Sequence, residues 1–426
     1  MVSFQTDDRD MCRLIRAAAT ALAVCATLWA PRPAASQLMQ QATTLTVPRF
    51  NLAATSVGTK AIFAGGFGAG AVDTVDIYDT ANSSWSTAAL SQARFGLAAT
   101  TVGSKAIFAG GFGSDYSDVV DIFDNYTGQW STDVLSVPRR FASAATVGNK
   151  AIFAGGQQAG GGASNVVDVY DATSGSWSTD TLSIARVDLA AATVGNQAIM
   201  AGGWTGVSTS DAIDLYDRPT NTVSPSIHTL TLGRLGLAAA AANDRAVFAG
   251  GNLGLFTVTD VVDIFDNATG LWVPDVLSQG REHAAATAVG SLILVGGGHF
   301  GPGIDQSSDV VDVYDATSGV WTIVALSAAR TRLAATTVGA RAIFAGGLVD
   351  GAPSDVVDIF ILPEPASAMI VVLGAVVFAC GRPKAASAAR VGWRRSLAFG
   401  APLPHRQAAT SAYNGGHPRA RGLPTR

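Results

Sequence analysis

Short apolar runs recur along the chain, each cut off by a cluster of glycine, asparagine, aspartate or serine. Ala106-Ile107-Phe108-Ala109 and Val119-Val120-Asp121-Ile122-Phe123-Asp124 are examples. They do not alternate cleanly between apolar and polar, which is the pattern of short strands packed on both faces. Gly103-Ser104 and Asn125-Tyr126-Thr127-Gly128 supply hairpin turns between them. One unit is expected to contain four strands, Gly96–Val102, Lys105–Ala109, Val119–Asp124 and Trp130–Leu135. The first is made of alanine, threonine and leucine, small enough to crowd around a narrow axis. The tryptophan falls on the outermost strand, where diverging wedges need a large side chain between them.

This unit recurs seven times. Glycine pairs begin at Gly65, Gly110, Gly155, Gly202, Gly250, Gly297 and Gly346, spaced by 45, 45, 47, 48, 47 and 49 residues. Sixteen residues before each stands an arginine: Arg49, Arg94, Arg139, Arg186, Arg234, Arg281 and Arg330. Each pair is followed by an apolar run ending in Asp-x-aromatic. Nine residues beyond that aspartate comes Trp85, Trp130, Trp177, Trp272 or Trp321, while the fourth unit has Val223 there and the seventh ends first.

The arginine, paired glycines, Asp-x-Tyr/Phe-Asp and late tryptophan together resemble the Kelch repeat, over Gln40 to about Ile361, and the period suits its roughly 50-residue unit. The resemblance implies an all-β chain, a seven-bladed β-propeller of four-stranded blades over residues 37–361. Blade seven lacks a fourth strand of its own, because Phe360 runs into Ile361-Leu362-Pro363. Upstream of Arg49, Ala42 to Pro48 aligns with Thr132 to Pro138, the end of a fourth strand. The N-terminal segment is thus expected to complete blade seven and close the ring, removing two unpaired edges.

Charge and cysteine content narrow the chemistry. The net charge of −4 conceals an asymmetry: residues 37–381 carry 15 basic and 29 acidic side chains, and residues 382–426 nine basic and no acidic ones. A body this acidic repels phosphate, so nucleic acid is not an expected partner. Cys12, Cys25 and Cys380 all lie outside residues 37–379, which removes disulfides, thiolate metal sites and cysteine nucleophiles from the body. The copper-oxidase branch of the Kelch family needs a tyrosine cross-linked to cysteine and is excluded with them. His228, His283 and His299 are the body's only histidines, and none has metal-ligand spacing. Neither a metal nor another cofactor is expected.

The two ends read as sorting devices. Arg13 and Arg16, the apolar run Ala17 to Ala30, and the small residues Ala34, Ala35 and Ser36 have the order of a secretory signal peptide over residues 1–36. Asp7, Asp8 and Asp10 are unusual in such a leader, which leaves Met11 as an alternative start. At the other end, Pro363-Glu364-Pro365, the uncharged stretch Ala368 to Cys380, and Arg382 with Lys384 resemble the PEP-CTERM signal of exported bacterial proteins. That resemblance covers residues 362–384. It implies transient retention in the inner membrane by a short helix and processing by an exosortase-type enzyme; the alternative is an anchor that is never cut. Residues 385–426, rich in Ala, Arg, Pro and Gly, read as a disordered basic tail.

Candidate binding residues lie where the repeats differ. From the second glycine to the strand aspartate the distance is 10, 10, 12, 11, 12, 14 and 11 residues, so the intervening loop varies while the strands do not. Strands running alternately up and down put this loop and the arginine loop on one face, which collects Phe67, Phe112, Tyr116, Trp204, Phe256, His299 and Phe300. Aromatic side chains on loops are stacking platforms for sugars or protein partners. The seven arginines could add a positive ring for acidic sugars, or brace the blade-to-blade loops, as the repeat consensus implies. Aspartates three apart, such as Asp73 and Asp76 or Asp118 and Asp121, point to opposite faces of a strand, cannot converge on calcium, and read as solvated strand ends.

The expected function is non-enzymatic: an exported, surface-associated or matrix protein that recognises a protein or an extracellular polysaccharide with one propeller face. A secreted carbohydrate-active enzyme, a sugar isomerase or lyase, is the alternative. Deleting residues 363–426 is expected to release the propeller into the periplasm or medium, as cell fractionation will show. Recovery of the full chain from the cytoplasm with residues 1–36 still attached would refute the sorting assignment.

Overall fold

A computed structural model describes residues 38–301 and 306–363. Seven four-stranded antiparallel sheets follow one another along the chain. In blade two the strands are Ala98–Val102, Lys105–Ala109, Val119–Asp124 and Gln129–Val134. The innermost strands of neighbouring blades touch all the way round, including Ala53–Val57 of blade one against Ala334–Val338 of blade seven. The chain is therefore a closed seven-bladed β-propeller. Its inner strands bear only alanine, serine, threonine and valine side chains, whose small size permits that convergence.

A separate hydrophobic cluster fills each of the seven interfaces. Between blades one and two, Ala53, Val75 and Leu90 meet Phe108 and Phe123, with Trp130 packed at the margin. The Trp130 ring lies 5.2 Å from Phe123 and 6.1 Å from Phe108. In blade four the equivalent Val223 anchors by its backbone instead, donating its N–H to Asp180 at 2.7 Å. In blade seven the position opposite Phe360 belongs to Gln40.

Met39–Thr44 pairs antiparallel with Val356–Ile361, with Met39 opposite Ile361 and Thr44 opposite Val356. The ring is closed by its N-terminal strand, as the alignment of Ala42 to Pro48 with the end of a fourth strand predicts. Gln40 Nε2 also donates to Asp358 at 2.8 Å, fixing the register.

A buried ion pair crosses every interface. The Arg94 backbone belongs to blade one, its N–H donating to Val72 O at 3.1 Å and its carbonyl accepting from Gly66 N at 2.8 Å. Its guanidinium enters blade two, donating to Gly110 O at 2.6 Å and pairing with Asp121. The other Asp121 oxygen accepts the N–H of Ser91, in the segment linking the blades, at 2.9 Å. Arg49–Asp76 (2.7 Å), Arg139–Asp168 (2.6 Å), Arg186–Asp214, Arg234–Asp263 (2.7 Å), Arg281–Asp312 (2.7 Å) and Arg330–Asp358 repeat the arrangement. Arg49 is held at its backbone by Ser354 and Gly347 of blade seven, so the closing interface is built like the other six.

The paired glycines serve the same joint. Gly110 has φ +67°, and a Cβ there would lie 2.4 Å from the Arg139 carbonyl oxygen, which must pass that close for the next blade to attach.

Two expectations are corrected. The seven arginines are at most 1% exposed and form no positive ring for a ligand; Arg49, Arg94, Arg139, Arg186, Arg234, Arg281 and Arg330 all brace the blades. Burial pulls each guanidinium below its ordinary pKa, and the paired carboxylate opposes this. The aspartates are not all solvated strand ends: Asp76, Asp121, Asp214, Asp263, Asp312 and Asp358 are buried against the arginines, whereas Asp73, Asp118 and Asp211 keep solvent contact. The leader and Glu364, Pro365 and Arg382 of the sorting signal lie outside the described residues. Among those described, no helix is long and apolar enough to cross a membrane.

Chains beginning at Gln37, Leu45 and Asn51 are expected to melt in descending order, because the second loses the closing strand and the third loses Arg49 as well. Equal melting temperatures would remove the strand from closure. Asp121→Ala strands a buried guanidinium and should cost about 3–5 kcal/mol in chemical denaturation. Arg94→Met combined with Asp121→Leu should cost less than the sum of its single changes.

Candidate functional site at the axial mouth

The arginine loops and the loops after the glycine pairs meet on one face. In each blade the residue after the arginine forms a two-way backbone bridge with the residue after the glycine pair, as in Val187 with Trp204 and Glu282 with His299. The residue two places after the arginine lines the mouth of the axis: Asn51, Gly96, Phe141, Asp188, Gly236, His283 and Arg332. Backbone hydrogen bonds run round this ring, from Gly96 N to Asn51 O (2.9 Å), Phe141 N to Gly96 O (2.8 Å), His283 N to Gly236 O (2.8 Å) and Asn51 N to Arg332 O (3.1 Å).

All seven residues have left-handed backbones, with φ between 50° and 67°. For the five that are not glycine this conformation costs about 1–3 kcal/mol each, least for asparagine and aspartate. The two glycines leave room for their neighbours: a Cβ on Gly96 would strike the Phe141 ring at 2.8 Å, and one on Gly236 would lie 3.3 Å from His283 Nε2.

The depression at the mouth has a volume of about 320 Å³. It shares Phe141, Asp188, His283 and Arg332 with an adjoining depression of about 600 Å³, walled by Arg140, Trp204 and Phe256 among others. His283 Nδ1 lies 3.3 Å from Glu282 Oε2, and His299 Nδ1 lies 3.7 Å from Glu282 Oε1. Recession into the mouth raises the Asp188 pKa, against the pull of His283, Arg332 and Arg140. The same desolvation lowers that of His283, against the pull of Asp188 and Glu282. His283 still keeps 28% of its side-chain surface, so both groups are recessed but open to a ligand. The downward shift of His283 favours its neutral imidazole.

Toward blades one to three the face is aromatic. Phe67 packs edge-on to Phe95 at 5.2 Å and Phe112 edge-on to Tyr116 at 5.1 Å. The Arg140 guanidinium lies over Phe95, Phe112, Tyr116 and Phe141 at 5.0–5.7 Å, while its Nε donates to Gln157 Oε1 at 2.9 Å. Cation–π contacts to several rings fix the position of this charge without neutralising it.

The structure thus brings Trp204 and Phe256 together at one depression and sets His299 beside it. Phe67, Phe112 and Tyr116 are half-buried in a mutual cluster, and Phe300, 38% exposed, stands on a separate loop. Leu255 and Phe256 are 96% and 76% exposed, with φ of 52° and 61°. Sequence reasoning missed Asp188, His283, Arg332, Arg140 and Glu282. The signal was available: two residues beyond an invariant arginine, seven nearly identical repeats carry Asn, Gly, Phe, Asp, Gly, His and Arg.

Comparison with known proteins agrees with this architecture. The Kelch motif profile matches residues 280–325, which span blade six from its arginine to its outermost strand. The chain is thus a seven-bladed β-propeller whose sixth blade matches the Kelch motif. The solved "Structure of YjhT" is similar at a TM-score of 0.53 and 15% sequence identity, covering 66% of this chain and 99% of that one. At that identity the likeness concerns the fold alone. No curated protein matches the chain. Matches to 880 chains of solved structures mark a widespread architecture, so function has to be argued from the site.

Proposed function

We propose that the protein is an exported, surface-associated or matrix recognition module that binds a protein or carbohydrate partner on the axial loop face without transforming it. The observation that carries this reading is the contrast between scaffold and mouth. Seven interfaces repeat one arginine–aspartate joint, while the seven positions facing the axis carry five different side chains besides glycine. Backbone strain kept at such positions marks sites where side-chain placement is selected over stability. Trp204 and Arg140 belong to the residue types that dominate binding energy at recognition surfaces, and Phe256 to a type enriched there. Export rests on the terminal segments of the sequence.

A second reading, a secreted carbohydrate-active enzyme of the isomerase or lyase type, draws on one feature. Burial moves the Asp188 carboxyl up toward the range of a general base, with His283 beside it in the same mouth. Proton exchange or unsaturated products detected by NMR during incubation with saccharides would favour it over simple recognition.

The Trp204 backbone is pinned by two hydrogen bonds to Val187, 2.8 and 2.9 Å long, and its indole is half-buried. Trp204→Ala should therefore leave the melting temperature nearly unchanged while weakening binding several-fold, since one aromatic contact is worth about 1 kcal/mol. Glycan arrays and matrix-binding assays measure the second effect. Lost stability with intact binding would make Trp204 a packing residue.

A further inference from the structure

Asp188 sets the polarity of the mouth. Its interactions are the long-range pull of His283, Arg332 and Arg140 and the repulsion of Glu282; among the described residues no group donates a hydrogen bond to its carboxylate. The neighbouring His283 spreads over Gly236, with Nδ1 toward the Glu282 carboxylate. The proton of a neutral imidazole then belongs on Nδ1, and Nε2 is left as an acceptor. Two acceptors stand at the mouth beside two guanidiniums, which can only donate. Trp204 and Phe256 wall the adjoining depression with aromatic surface.

A ligand matched to this set must donate and accept hydrogen bonds from closely spaced groups and also present an apolar face. Pyranose rings do both, since each hydroxyl donates and accepts and the axial C–H face stacks on aromatic rings. The lysine and arginine side chains by which a peptide would best reach a carboxylate are repelled here by the guanidiniums of Arg332 and Arg140. The depression is ringed by residues of all seven blades, and at about 320 Å³ it lies at the small end of ligand sites. A volume that small suits the end of a chain better than a run of several rings.

Resting on the recognition reading above, we infer that the axial mouth holds the terminal ring of a saccharide chain, its hydroxyls donated to Asp188 and His283 and its acceptor oxygens met by Arg332. The next ring of the chain lies against Trp204.

The test is calorimetric titration of the purified protein with the tri- and hexasaccharides of the cello, malto, laminari, xylo, chito and galacturono series. One series should bind, with equal molar affinity for the two lengths, because only the end is held. Asp188→Asn keeps a residue that tolerates the left-handed backbone, and it should weaken binding roughly tenfold to a hundredfold, as expected for a charge-assisted hydrogen bond. An unchanged melting temperature will establish that the variant folds. Affinity that climbs from tri- to hexasaccharide, or that ignores Asp188→Asn, would overturn the end-binding assignment while leaving loop-face recognition of saccharide intact. If none of the twelve probes binds, the saccharide assignment is wrong. A protein partner captured by the wild type and lost on Trp204→Ala would then preserve the recognition reading alone.

Discussion

The propeller depends on one interaction, the buried arginine–aspartate pair at each blade junction. Two charges taken out of water cost more than a hydrophobic contact of equal size returns, unless geometry and hydrogen bonding are nearly complete. Here they are nearly complete. The guanidinium of Arg94 meets Asp121 and carbonyls of blade two, and the carboxylate also holds the linker through Ser91. At these joints the arginine Nε atoms lack a hydrogen-bond partner, and Asp263 Oδ2 and Asp312 Oδ2 are held by their ion pairs alone, at 2.7 Å each. The arginine's backbone lies in one blade and its side chain in the next, so a blade on its own leaves both charges unpaired, and each is buried only together with its partner when two blades join. This makes assembly of the ring cooperative where apolar packing alone would tolerate sliding.

A joint this uniform separates framework from recognition. The arginine and the second residue after it sit in the same short loop, yet the first is identical in all seven blades and the second differs. The rigid joint fixes the loop backbone, including its left-handed turn, and leaves the side chain free to vary. Glycine at two of the seven positions is part of the same design, because Phe141 and His283 occupy the space those side chains would need.

Much of the fold was legible in the sequence because each element carried its own marker. Glycine pairs marked the strand ends, the fixed offset found the arginines, and the stretch before Arg49 revealed the strand that closes blade seven. The bracing role of arginine followed from the repeat; its aspartate partner was less visible. In a strand with two aspartates, spacing tells that they point to opposite faces but not which face is covered by the next blade. The site was harder. Trp204 and His299 stood out as unusual residues, whereas Asp188 and His283 are 95 positions apart in number and meet only because the ring brings every second-after-arginine residue to the axis.

The pairing of Met39–Thr44 with Val356–Ile361 also fixes the order of events in folding. Gln40 and Asp358 lie 318 residues apart in the chain, so this sheet is the last that can be completed as the polypeptide emerges. Its loop-closure entropy grows only slowly with separation. The waiting time does not shrink in the same way, because the first strand made has no partner until the seventh blade exists. During that interval blade one presents an unsealed flank, and Arg49 has its carboxylate but not its backbone support. A full set of blades is therefore a checkpoint: the molecule acquires its axial mouth, with Arg332 beside Asn51, only in the step that also gives Val356–Ile361 its missing neighbour.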